Sequence, residues 1–181
     1  APTFDFDIQL IKMDTNFVVS NSTYYNGASN GNDFPIDMGI DQLGNVYVVG
    51  NTSNAGTGTD IVLLKYDSNL NPMFTKFYSS AGIADDGATA MRVEPNGVCN
   101  IVGSCYDVTY GNRLLVMKYW GNGVLLWKKY HDVAPSTIGS DIGNAISYDP
   151  VTGDLYVTGR GVNGTNYDWS VIKYRGVDGA K

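Results

Sequence analysis

The sequence predicts an all-β chain built from a repeated four-stranded antiparallel unit, and three observations predict it. One strand-like stretch is written four times, at residues 7–13, 60–66, 113–119 and 168–174. Its lysines, Lys12, Lys65, Lys118 and Lys173, stand 53, 53 and 55 residues apart. Other landmarks keep the same period: Gly50, Gly103 and Gly159 are spaced by 53 and 56, and Asp33, Asp86 and Asp141 by 53 and 55. Finally, no stretch longer than two turns carries the 3.6-residue periodicity of an amphipathic helix, whereas short β-branched runs alternate with Gly/Asn/Asp turns.

The elements follow in order. Residues 8–13 and 17–25 read as strands joined by the turn 14–16, and 26–32 is a polar connection. The first whole repeat then places strands at 34–41, 45–50, 60–66 and 73–78. The turn Gln42-Leu-Gly-Asn45 supplies the positive φ that tight turns require. The second repeats this at 87–94, 98–103, 113–119 and 124–130, and the third supplies 142–149, 154–159 and 168–174. That makes thirteen strands, two, four, four and three per unit.

Four short strands at a period of about 53 residues match a β-propeller blade, since related blades run about 40–50 residues. The strands of a blade are named A to D. The chain is then one domain, 1–181, an incomplete arc of about 3.25 blades. The blades fall at 4–27 (strands C and D only), 33–79, 86–131 and 141–181 (lacking D). A ring needs at least about four blades. The remainder of a longer chain, or another chain, is therefore the expected partner that completes the propeller. An arc alone would bare two apolar faces and is expected to be prone to aggregation.

Bulk properties exclude several functions. The net charge is −6 and no Lys/Arg run occurs, which argues against a nucleic-acid or anionic-membrane surface. No apolar stretch approaches the length of a membrane-spanning helix, about 18 residues, and no signal-peptide pattern precedes the first repeat in this numbering. Cys99 and Cys105 lie six apart in one extended run, about 20 Å end to end at about 3.3 Å per residue. A disulfide needs Cα atoms within about 7 Å, so both are expected to be buried thiols.

Candidate chemistry is sparse. The single histidine, His131, ends a strand beside Asp132 and is expected at the surface. Asp67-Ser-Asn-Leu-Asn-Pro72 begins like a calcium loop but places Pro where Gly must turn, so an Asx turn is expected and no metal is assigned. Asp85 and Asp86 could serve as a glycosidase pair. However, Asp33, Asp86 and Asp141 recur once per blade, which suits a structural cap. The recurring lysines are expected to be structural too, Lys65 reaching Asp41 and Lys118 reaching Glu94.

The run Asp41-Gln-Leu-Gly-Asn-Val-Tyr-Val-Val-Gly50 and the run Asp60-Ile-Val-Leu-Leu-Lys-Tyr-Asp67 resemble the bacterial SBBP-type β-propeller repeat family. Asp154–Gly159 and Ser170–Tyr174 fit the same pattern, while Cys99-Asn100 and Arg113 depart from it. The resemblance implies the propeller fold and an extracellular or cell-surface location, often with an adhesive role. Trp127 and its equivalent Phe74 are similar to the aromatics that dock neighbouring blades in quinoprotein propellers. The quinone-binding residues of those proteins have no counterpart, so no cofactor is carried over.

Strand direction alternates, so the A–B and C–D connections share one edge of each sheet and the B–C and D–A connections share the other. The first set is short. The second is long: 51–59, 79–86, 104–112, 131–140 and 160–167. Long loops on one face of a rigid scaffold are where binding residues collect. Tyr106, Tyr110, Tyr167 and Trp169 are the expected contacts there, for a glycan or a protein. The expected function is a secreted or cell-surface scaffold for binding or adhesion, or a filament module. The alternative is a polysaccharide-active hydrolase or lyase.

Overall fold

The computed structural model describes residues 5–80, 84–132, 139–164 and 166–181. Among them are fourteen strands and no helix. Sheet 1 holds β1 (Ile8–Met13) and β2 (Val19–Tyr25). Sheet 2 holds β3 (Asp33–Ile40), β4 (Val46–Asn54), β5 (Gly58–Tyr66) and β6 (Pro72–Tyr78) in sequential order. Sheet 3 holds β7 (Gly87–Val93), β8 (Cys99–Asp107), β9 (Gly111–Tyr119) and β10 (Leu125–His131), with the two-residue β11 (Gly139–Ser140) parallel to β9. Sheet 4 holds β12 (Ile142–Tyr148), β13 (Leu155–Asn163) and β14 (Asn166–Tyr174). Every pairing except β11 with β9 is antiparallel.

Thirteen of these strands fall where the repeat places them. The connections between second and third strands do not. They were expected as long loops at 51–59, 104–112 and 160–167, but the strands run on into them and leave tight hairpins. Thr52, Ser53 and Asn54 pair with Asp60, Thr59 and Gly58; Tyr106 and Asp107 pair with Asn112 and Gly111. Small polar side chains show no hydrophobic alternation, yet their backbones satisfy each other in the ladder. Gly58 (φ 85°) and Gly111 (φ 74°) supply the left-handed residue that closes two of the turns. Of the expected long connections between units, 81–83 and 133–138 lie outside the described residues.

The sheets stack face on face because their third strands present two apolar faces. On β5, Val62 and Leu64 join Ile8, Leu10, Val46 and Val48 in one buried cluster between sheets 1 and 2. Ile61 and Leu63, pointing the other way, join Ile101, Leu115 and Met117 between sheets 2 and 3. Val102, Leu114 and Val116 pack on Leu155, Val157, Ile172 and Tyr174 between sheets 3 and 4. Two-sided burial explains the continuous apolar runs of the third strands.

The joints repeat as closely as the strands. A Cβ on Gly50 would lie 2.8 Å from Cδ1 of Ile8, and one on Gly159 would lie 2.6 Å from Cδ1 of Leu114. Gly50 and Gly159 thus make room for a side chain from the preceding sheet, while Gly103 is closed in by Gly87 and Ala88 of its own sheet. Lys12 donates to the carbonyl of Ser68, and Lys65 to that of Gly121, each at 2.7 Å and each 56 residues ahead. The backbone N–H groups of Asp33, Asp86 and Asp141 donate to the carbonyls of Phe6, Thr59 and Asn112, at 2.6, 2.7 and 2.8 Å.

Candidate functional site

The repeated polar residues are occupied by the fold. Asp41 Oδ1 accepts the backbone N–H of Leu43 and Asn45, both at 2.9 Å, and its Oδ2 accepts Asn45 Nδ2 at 2.8 Å. Burial raises the Asp41 pKa, but the donors from Asn45, Leu43 and Tyr47 outweigh it and leave the carboxyl below its ordinary value. Asp67 makes the same Asx turn with Asn69 and Asn71, as expected where a calcium loop was weighed. Lys118 meets Glu94 at 3.0 Å and Lys173 meets Asp154 at 2.8 Å, while Lys65 stands 4.0 Å from Asp41 and gives its shorter bond to Gly121.

The unit aspartates also hold backbone. Asp86 accepts the N–H of Ser80 and, at 3.1 Å, that of Tyr106; Asp141 accepts the N–H of Val162 at 3.1 Å. Burial raises the Asp86 pKa above its ordinary value. Asp85 accepts the N–H of Thr59 at 2.8 Å. Phe74 and Trp127 sit against the next unit's turn, as expected. Trp127 stacks on Tyr174 with centroids 6.3 Å apart and donates from Nε1 to the carbonyl of Gly176 at 3.2 Å. Cys99 and Cys105 are free and buried.

One place breaks the repeat. Asp60 and Asp168 staple their own hairpins, accepting Asn54 Nδ2 at 2.7 Å and Asn163 Nδ2 at 2.8 Å. The equivalent residue on β9 is Arg113. Its guanidinium forms a two-pronged pair with Asp132, Nε to Oδ1 at 2.8 Å and Nη2 to Oδ2 at 3.0 Å. It also lies 3.8 Å from Asp107, 4.8 Å from the Tyr110 ring and 5.1 Å from the Tyr130 ring. Burial would lower the Arg113 pKa, but the two carboxylates raise it, so the charge is fixed. Lys128 Nζ lies 5.1 Å from the Tyr78 ring, and the Tyr78 and Tyr130 hydroxyls are 3.3 Å apart. Tyr78, Tyr106, Asp107, Arg113, Lys128 and Tyr130 line a cleft at the hairpin edge between sheets 2 and 3.

Of the residues singled out in the sequence, Tyr106 lines this cleft and Tyr110 covers the outer side of Arg113. Tyr106 and Tyr110 are 40% and 46% exposed. Tyr167 and Trp169 are not brought to them. Both lie on one face of β14, and Tyr167 rests 5.9 Å from Arg160. Arg113, Lys128, Tyr78 and Tyr130 were missed as contacts because they come from three strands and no local pattern links them. The one available signal was Arg113 standing where the repeat otherwise has Asp.

His131 is half-buried and approached by Lys181 Nζ at 2.5 Å from its Nδ1. Burial, then the Lys181 charge, holds its pKa below the ordinary value.

Residues 21–56 match the family model of a β-propeller repeat, SBBP. The match runs from β2 through β3 and β4 into the following turn, and it supports the resemblance drawn from the repeat motifs. No curated protein matches the chain.

Proposed function

We propose that this chain is an arc of about 3.25 four-stranded propeller blades, secreted or held at the cell surface, that serves as a binding scaffold. The stacked sheets, the one-way lysine bonds and the β-propeller repeat match support the arc. The observation that carries a binding role is the departure at Arg113. The apolar clusters between the sheets and the backbone bonds of Asp33, Asp86 and Asp141 are repeated, whereas the hairpin edge of sheet 3 carries an unrepeated arginine between aromatic rings. A position where one unit departs from the repeat is where recognition can diversify.

The ligand class that suits the cleft is a glycan. Exposed tyrosine faces stack on sugar rings, and Asp107, Arg113 and Lys128 offer both acceptors and donors to hydroxyl or carboxylate groups. The enzyme alternative draws on Asp85 and Asp86; both oxygens of Asp86, and Oδ1 of Asp85, are already engaged by backbone N–H groups.

Titration of the protein with neutral and acidic polysaccharides tests this. Tyr106→Ala with Tyr110→Ala should abolish binding while the unfolding midpoint stays unchanged. Binding that survives both substitutions, or that is lost only on altering the short turns at 42–45 and 67–71, would overturn the assignment. Hydrolysis or elimination lost on Asp85→Asn would revive the enzyme reading.

A further inference from the structure

The outer face of sheet 4 is the fourth member of a series whose first three members are buried. Four residues ahead of each motif lysine stands the side chain that enters the next sheet: Ile8, Ile61, Leu114 and Trp169. The first three are 1%, 1% and 0% exposed, while Trp169 is 81% exposed. The next position outward along each strand, Leu10, Leu63, Val116 and Val171, shows the same break, ending at 58% for Val171. Tyr156 is the equivalent of Tyr47, as their pairings with Lys173 and Lys65 show, and its exposure is 42% against 0%. Lys173 pairs with Asp154 within its own sheet, as Lys118 pairs with Glu94, but its side chain is 55% exposed where those of Lys65 and Lys118 are 9% and 8% exposed.

We infer that this face docks a further four-stranded sheet of the same repeat, contributed by the same polypeptide. The inference rests on the reading of the chain as a propeller arc. The joints at Gly50 and Gly159, and the onward bonds of Lys12 and Lys65, define the occupant's chemistry. It carries a glycine in its second strand, opposite Trp169, as Gly50 and Gly159 stand opposite Ile8 and Leu114. It also carries a turn between its third and fourth strands with a carbonyl turned back to Lys173. Trp169 is larger than the isoleucine and leucine it replaces, so the receiving hollow is wider than those at Gly50 and Gly159.

A second copy of residues 5–181 does not offer this surface. Its opposite end is sheet 1, two strands whose outer residues on β1 are Gln9, Ile11 and Met13. Those positions correspond to Val62, Leu64 and Tyr66 of a third strand, so neither the second strand nor its glycine is there to receive Trp169. In each observed joint the occupant is instead the unit next in sequence.

Oxidative footprinting of the protein as isolated from its source, read by mass spectrometry, tests the inference. The chain supplies both controls, because Trp127 is 8% exposed and Trp120 is 49% exposed. Trp169 should lose its reactivity and match Trp127, and acylation of Lys173 should fall to the level of Lys118. Trp169 oxidised as fast as Trp120, with Trp127 still protected, would overturn the inference and leave the arc standing. Trp127 oxidised as fast as Trp120 would overturn the arc itself. Protection of Trp169 that disappears on dilution would identify a second copy and so refute an occupant from the same polypeptide.

Discussion

Replacing Gly159 by alanine and Leu114 by alanine, singly and together, measures the joint between sheets 3 and 4. The new methyl on Gly159 meets two atoms at 2.6 Å: Cδ1 of Leu114 from the neighbouring sheet, and the carbonyl oxygen of Ile142 within its own. Both are shorter than any normal contact, so Gly159→Ala should cost about 1–3 kcal/mol as overpacking. Leu114 is fully buried, and Leu114→Ala should cost about 2–5 kcal/mol through lost burial and the cavity left behind. In the double variant the Leu114 contact is gone and the methyl fills part of its cavity. The Ile142 carbonyl remains, so the rescue is partial. The double variant should be more stable than the sum of the singles by about 0.5–3 kcal/mol, the range for residues in direct contact. Urea unfolding curves for the four proteins give the coupling. Additivity within about 0.5 kcal/mol would mean that Leu114 and Gly159 do not meet, and the stacking argument would fail.

The remaining predictions concern charge and thiols. Lys118→Met strands Glu94 in a buried setting and should cost about 3–5 kcal/mol, whereas Lys173→Met, on an exposed pair, should cost about 0–1 kcal/mol in the 181-residue chain; equal costs in urea unfolding would contradict the burial series. Asp41, Asp67, Asp149, Asp154 and Asp178 have carboxyls held below their ordinary value, that of Asp178 at about 2. Their contribution is present above the unfolded value of about 3.9 and is lost as pH falls through the folded values. The raised Asp86 acts in the opposite sense, favouring the fold as pH falls, but it is outnumbered. The urea midpoint should therefore drop between about pH 4 and pH 2, and a flat profile would refute this. Burial pushes the Cys105 thiol up to about 11 and raises that of Cys99 further, so both should resist a thiol reagent until the protein unfolds. Rapid modification of the native protein would contradict their burial.

The repeat was legible because its determinants are local. The Lys12, Lys65, Lys118 and Lys173 motifs sit in continuous apolar runs, and the turns carry residues that tolerate left-handed backbone. Gly44, Gly97 and Gly153 show this at one repeated turn position, with φ of 78°, 85° and 73°. The hairpin extensions were not legible. Thr52, Ser53 and Asn54 are held by backbone pairing alone, and side-chain patterning is silent about that. Nor was the cleft, whose Tyr78, Arg113 and Tyr130 meet only after two sheets have stacked. Trp169, at the start of the strand 168–174, was grouped with the contacts of the adjoining loop 160–167; with β14 extended to Asn166 it becomes a sheet-face residue in register with Arg160.

The central claim is that the sheets succeed one another face on face, with Lys12 and Lys65 reaching forward to the next turn. A crystal structure of the protein isolated from its source tests it most directly. The account predicts Lys12 on the Ser68 carbonyl, Lys65 on the Gly121 carbonyl and Lys173 on the carbonyl of a further turn, with Trp169 enclosed beneath it. Sheets joined edge to edge, or a Lys173 amine left in solvent beside a bare Trp169, would contradict it.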